Sequence, residues 1–401
     1  MIMQDTNNVT RTETSQLIYE DKIINSQKKE KRVSVIDYGA VGNWNGSSGT
    51  DDTLKIIDAI KACASLKTNM CIPELYFPLC GGYKITSTIT VPNGISIRMK
   101  APLIYVGTEN VPALVIGPGG TLTNSNLELY LQVIRHTLSD WSSESCIGIQ
   151  FLNINESQIF IKQVRKFTIG VQFVGENKKG NAYNSIILGS LNGNKIALDL
   201  VARYGGWTNE NSFFNGRIWV SNEQNIGKSR YGVRLKNIDA ENPNFVASTV
   251  YNIDDLVQAN GKVYKVTSGG ISGEVAPSHT TETYRNGTLI FQFMYNINQL
   301  NNNVMWKPSF ELQFSNSFPG EAIPIIIENC YQNTFRSCRS DSNDRTLARV
   351  LNESTENKIE FGYSSHLDKV DDQSLYPATK LDITRRLLID DPGSAICAFH
   401  N

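Results

Sequence analysis

From about residue 146 the chain repeats itself, and that repeat limits it to very few architectures. "GIQFLN" (148–153), "GVQFVG" (170–175), "ALDLVA" (197–202), "GVRLKN" (232–237), "PIIIEN" (324–329) and "ARVLN" (348–352) share one pattern. Small or turn residues lead, apolar positions alternate with an outward one, and Asn often closes. The closing positions lie 22, 27, 35, 92 and 23 residues apart. A second element follows each: "NSIILGS" from Asn184, "NSFFNGR" from Asn211, "NTFRSCR" from Asn333 and "NKIEFGY" from Asn357. Each starts with Asn and has an apolar residue at the third place.

Two or three short strands per 22–27 residues suit one turn of a parallel β-helix. Such a turn cannot bury its apolar side alone and must stack on its neighbours. A β-sandwich would show hairpin turns at tight intervals, without a repeat held in phase. The fold class read here is therefore all-β: a right-handed parallel β-helix with an N-terminal capping helix and a small inserted β subdomain. The spacing predicts that helix over 50–66, with Leu54, Ile56, Ile57, Ile60, Ala64 and Leu66 on its apolar face. Thr50, Asp51 and Asp52 would cap it, and the helix would cover the sticky end of the stack. The Asn row reads as a ladder of amides bonded turn to turn.

The organisation expected is a polar arm over 1–31, β-helix over 32–243, an insert over 244–296, β-helix again over 297–363, and a tail or cap over 364–401. The insert breaks the repeat phase and reads as a compact antiparallel unit. Its Tyr251, Tyr264 and Tyr284 are available either for sugar binding or for its own core.

Apolar residues make up 40% of the 401, enough for a sizeable core, and the formal net charge is −1. No block of like charge marks a nucleic-acid or membrane-surface partner, and no apolar run reaches a membrane span. The opening "MIMQDTNNVTRTETSQ" lacks the layout of a signal peptide. Seven scattered cysteines fit synthesis in a reducing compartment, and the four histidines offer Cys330 and Cys338 no ligand spacing. Neither metal nor other cofactor is expected. Asn-x-Ser/Thr triplets such as Asn155 to Ser157 carry no weight without export.

The stretches "VIDYGAVGN", "GTDDTLKIIDAIKAC", "YFP" and "GGYKITSTITVP", between residues 33 and 100, resemble the N-terminal signature of pectate-lyase-like β-helix proteins. That group includes bacteriophage tailspikes and many bacterial polysaccharide enzymes. The insert is similar to a small module common in phage tail proteins. The resemblance implies a homotrimeric phage or prophage tailspike that binds, and often cleaves, a bacterial surface polysaccharide. It would join the phage tail or baseplate through its N-terminal arm, be made in the host cytoplasm and be released by lysis. Its members include hydrolases, lyases, epimerases and non-catalytic forms without shared catalytic positions, so no residue's role carries over.

Candidate site residues therefore come from this chain. Three consecutive turns carry long loops, "ENKKGNAY", "RYGGWTNE" and "IDAENP", which would wall a groove for a linear polymer. A glycosidase needs two carboxyl groups facing the scissile bond. Glu210 and Asp239 are the first candidates, with Asp199 and Asp341 in reserve. Arg203, Tyr204 and Trp207 would bind sugar, the aromatic rings by stacking. Gln150, Gln172, Asp199, Arg234 and Arg349 share one outward row. Arg217 and Arg339 share another, and Asp341 falls in the row of Trp219. These arginines would meet acidic sugars or pair with Asp341 and its neighbours; both readings are open. "HTLSDWSSES" (136–145) reads as a bulge, with His136 to Glu144 as the alternative site. Hydrolysis is the leading activity; a lyase and a non-catalytic receptor-binding spike are the competing readings.

Overall fold

The computed structural model describes residues 31–383 apart from 69–70, 119–123, 126, 138, 222–224, 226, 282, 314–319, 342–345, 365–368 and 375–379. The expected arm, save Lys31, and the chain beyond 383, with Cys397, lie outside the described residues.

One coil shows how the repeat becomes structure. Strand Gln158–Arg165 lies in a first sheet, Ile169–Glu176 in a second and Gly180–Ala182 in a third. Ser185–Asn192 then returns to pair in parallel with Gln158–Arg165, 27 residues on. Repeating this step builds parallel sheets of 14, 9 and 4 strands. The result is a right-handed parallel β-helix, the hand that parallel crossovers take.

Because neighbouring coils pair in register, each inward side chain rests on its counterpart. Phe151 stacks on Phe173 at 4.5 Å between ring centroids. Ile159, Ile161, Val171 and Phe173 are buried in one continuous core. Where the third sheet turns into the first, the Asn row forms a buried chain of amides. Asn184 donates to Asn211 at 2.8 Å, Asn211 to Asn303 at 3.0 Å, Asn303 to Asn333 at 3.0 Å and Asn333 to Asn357 at 3.2 Å. Asn303 joins a row that was read without it, because the insert separates it from Asn211.

Ser157 heads the row, its backbone N–H donating to the Asn184 amide oxygen at 3.0 Å, and the residue just before each position of the row is left-handed: Glu156, Tyr183, Glu210, Asn302, Gln332 and Glu356 have φ between 48° and 57°. That conformation is unfavourable for residues with a Cβ. Here it swings the chain out, so that one residue faces solvent and the next faces the interior.

The N-terminal helix runs Thr53–Ser65 and buries Thr53, Ile56, Ala59, Ile60 and Cys63. It packs against the first strands of the first two sheets and covers that end of the stack. Leu54, expected on its apolar face, is 72% exposed. The capping also differs from expectation. Asp51 accepts from the Thr53 N–H at 3.1 Å, while Asp52 turns away to hold the Val41 and Gly42 N–H groups at 2.7 and 3.0 Å.

Between Asn237 and Asn303 the chain leaves the helix. Strands Leu256–Ala259, Lys262–Ser268, Thr283–Asn286 and Leu289–Asn296 form an antiparallel sheet. Tyr251, Val257, Tyr264, Val266, Leu289 and Phe291 make its own core, separate from that of the helix. Tyr251 and Tyr264 are thus packing residues, while Tyr284 is 47% exposed. At the far end the coils do not fade at 363. Lys369–Ser374 pairs with Thr346–Asn352, and Lys380–Ile383 with Lys358–Ser364, both in parallel.

Candidate functional site

The loops joining the second sheet to the third lie side by side, as their length predicts. Arg203 pairs with Glu176 of the preceding coil at 2.6 Å, and its guanidinium sits 5.6 Å from the centroid of the exposed Tyr204 ring. Trp207 opens the next strand, and its indole leans over Gly180 of the coil before. A Cβ on Gly180 would lie 2.4 Å from the ring, so glycine there is what lets the indole lie flat.

Three residues further on, Glu210 occupies its left-handed position, exposed, directly before the ladder residue Asn211. In register on the two preceding coils stand Tyr183 and Glu156, both exposed. The Tyr183 phenol lies near Glu210 and Glu156, and these two carboxylates hold it above its ordinary range. Glu156 and Glu210 are two coil steps apart, about 9–10 Å between Cα atoms. Two carboxylates therefore flank a phenol on one open corner, with the Trp207 and Tyr204 rings on the adjoining face. Glu156 and Tyr183 were not among the sequence candidates. The signal that finds them is position: each directly precedes a ladder residue.

The other expected carboxylates do not join this face. Asp239 is 2% exposed and accepts backbone N–H groups from Tyr204 and Gly205, at 2.7 Å each. It clamps the 203–206 loop from beneath and also hydrogen-bonds Tyr295 of the insert. Burial pushes its carboxyl above the usual range, against those hydrogen bonds. With both oxygens occupied it holds the loop and offers nothing to a substrate.

Asp199 is fully buried on the outer side of the second sheet. Gln150 donates to Gln172 at 2.7 Å and Gln172 to Asp199 at 2.8 Å, along the predicted row. Arg234 closes on Asp199 and also reaches Glu144 at 3.0 Å. Burial opposes the Arg234 charge, but the two carboxylates outweigh it and raise the group above its ordinary range. Glu144 thus meets the row at Arg234, and the residues just before it are held by a second segment. Asn225 donates to the Ser139 carbonyl, Lys228 to that of Asp140, and Arg230 lies against Trp141. His136 is buried among Tyr105 and Phe167, and burial lowers it to about 4.

Arg217, Trp219 and Arg339 lie on the first sheet and Asp341 directly follows one of its strands, Arg217 being seven residues beyond Glu210 along the chain. There the ion-pair reading holds. Arg217 pairs with Glu311 at 2.7 Å and Arg339 with Asp341 at 2.7 Å. Of the sequence candidates, then, Glu210 lies on the corner and Arg203, Tyr204 and Trp207 on the segment leading to it; Asp199, Asp239, Asp341, Arg217, Trp219 and Arg339 do not join them.

Among the described residues no group of three or more His, Cys, Asp or Glu is placed to hold a metal ion, and no helix is long and apolar enough to cross a membrane. No protein-family model and no curated protein matches the chain. Solved structures do. ORF18 of Geobacillus virus E2 is similar over 96% of this chain and 67% of its own, at 14% identity and a TM-score of 0.55. A mannuronan C-5 epimerase A-module from Azotobacter vinelandii matches over 87% and 95%, at 11% identity and a TM-score of 0.41. A tailspike protein of E. coli bacteriophage HK620 in complex with a pentasaccharide matches over 89% and 66%, at 11% identity and a TM-score of 0.37. At these identities the likeness is one of fold, the right-handed parallel β-helix expected from the repeat.

Proposed function

We propose that this chain is a phage or prophage tailspike depolymerase that hydrolyses glycosidic bonds in a bacterial capsule or O-antigen. The reading is carried by the Glu156–Tyr183–Glu210 row. Inverting glycosidases separate their two carboxyl groups by about 6.5–9.5 Å, leaving room for a water opposite the leaving group. Two coil steps supply about that spacing. Glu210, fixed directly before the ladder residue Asn211, takes the base role, activating the water. Glu156 takes the acid role and protonates the departing glycosidic oxygen. Trp207 and Tyr204 hold neighbouring sugar rings by stacking, and Arg203, steadied by Glu176, presents donors to hydroxyl groups.

The signature between residues 33 and 100, the similar fold of a protein from a virus, and the tail-protein character of the insert support the phage setting. In that setting the protein is a homotrimer held to the tail by its N-terminal arm. The test is release of reducing ends from a panel of bacterial surface polysaccharides by the parent, Glu210→Gln and Glu156→Gln. Loss of release in both variants, with polymer still bound, supports the assignment. An unsaturated, ultraviolet-absorbing product would make the enzyme a lyase instead. Binding with no cleavage by the parent would make the chain a receptor-binding spike.

A further inference from the structure

On the first sheet, strands Glu128–His136 and Gln158–Arg165 lie side by side, and their register sets Arg165 directly against Arg135. Parallel neighbours stand about 4.8 Å apart, so two half-buried arginines stand directly opposite one another one coil apart. Neither makes a hydrogen bond or ion pair among the described residues, and the Arg135 Nε–H is buried without an acceptor. Four other arginines of this face have carboxylate partners. Arg32 and Arg98 share Glu74, Arg217 has Glu311 and Arg339 has Asp341. Like charges directly opposite on a sheet are destabilising, and a buried N–H without an acceptor adds to that cost. An anionic group between the two guanidiniums removes both penalties.

The same two strands carry Tyr130 and Phe160, also in register and each 37% exposed. The arginine row continues through Asn192 to Trp219 on the next two coils. A charged slot and flat apolar faces therefore run together along the helix axis, the combination that suits a sugar polymer bearing acid groups. With a net charge of −1 the chain has no broad positive field, which disfavours a nucleic acid. We infer that Arg135 and Arg165 form a binding slot for the carboxylate, sulfate or phosphate groups of an acidic polysaccharide. The inference rests on the glycan reading above for the kind of polymer and extends it to the charge of that polymer.

The experiment is affinity electrophoresis of the full chain through gels containing polygalacturonate, alginate, dextran sulfate or neutral dextran, with a single-stranded DNA oligonucleotide as competitor. Retardation by at least one acidic polymer and not by dextran is expected, weakening as salt rises. Arg135→Gln/Arg165→Gln should lose about tenfold or more of that affinity, as expected when charge-assisted hydrogen bonds are removed. Without polymer, Arg165→Gln should melt at a higher temperature than the parent, because the repulsion is gone; a folding defect would do the reverse.

Retardation by none of the acidic polymers, equal retardation by dextran, or undiminished binding by the double variant overturns the slot. Displacement by DNA as effective as by the acidic polymer also overturns it, in favour of a nucleic-acid partner. The two readings fail separately. Cleavage of a neutral glycan untouched by the arginine changes sinks this inference alone, and acidic-polymer binding without reducing ends sinks the depolymerase alone.

Discussion

Arg234 grips Asp199 of the neighbouring coil through two hydrogen bonds, of 2.8 and 3.0 Å, beneath a loop that also brings Glu144 to the same guanidinium. Removing one partner leaves a buried charge uncompensated. Asp199→Ala should therefore cost about 3–5 kcal/mol of stability, measured by urea unfolding. Turnover per folded molecule should be unchanged. A specific loss of turnover with stability intact would return Asp199 to the active site.

Asn211 and Glu210 are neighbours with opposite duties, and substitution should separate them. Asn211 accepts from Asn184 and donates to Asn303 inside the stack. Asn211→Ala should cost about 3 kcal/mol or more, since each orphaned buried group costs about 1–3 kcal/mol. Glu210→Gln should change stability by less than about 0.5 kcal/mol, as exposed substitutions usually do. It should also lower turnover by about 10²–10⁴-fold, the usual worth of a positioned proton transfer. Near-normal turnover in this variant would remove Glu210 from the mechanism.

Acid should destabilise the fold through His136. Burial lowers it from 6.5 to about 4, so between these values it is neutral when folded and protonated when unfolded. The unfolded chain binds the extra proton there, and stability falls as the pH falls through that window. The loss amounts to about 3 kcal/mol and is complete below about pH 4. His136→Phe, filling the same aromatic pocket, should flatten this part of a melting-temperature profile against pH. An unchanged slope would place the acid sensitivity elsewhere.

The insert should be removable. Asn237 donates to the Asn298 carbonyl at 2.9 Å, and Asn298 to that of Gly205, so its two ends already meet on the helix. Replacing 248–294 by a short Gly/Ser linker keeps Tyr295 on Asp239, and the longer loop it removes was cheap to close. Cooperative unfolding should persist in circular dichroism. Loss of soluble protein would show that the insert's core supports the coils.

Assembly gives a further check. Light scattering should find three chains per particle, stable to dilution. A single chain would remove the trimer from the proposal.

The coil was legible in the sequence because stacking forces a phase on it. "GIQFLN" and "GVQFVG" align by eye, and Gln150 does stand against Gln172. The Asn row was legible for the same reason. What hid Asp199 is Glu144, brought by a distant loop onto its partner Arg234, which no period announces. Asp239 read as an exposed loop carboxylate because its partners are backbone N–H groups, which leave no mark on composition. Glu156 was passed over because "NES" resembles any polar corner until the register sets it beside Tyr183.

The left-handed corner gives the molecule a division of labour one residue wide. Each coil lifts a single side chain clear of the packing immediately before it commits the next to the amide chain. The lifted position touches no core atom, so Glu156, Tyr183, Glu210, Asn302, Gln332 and Glu356 form a column of exchangeable letters on a fixed spine. On the proposed function, rewriting that column changes the surface offered to a glycan while the spine, and with it the fold, stays as it is.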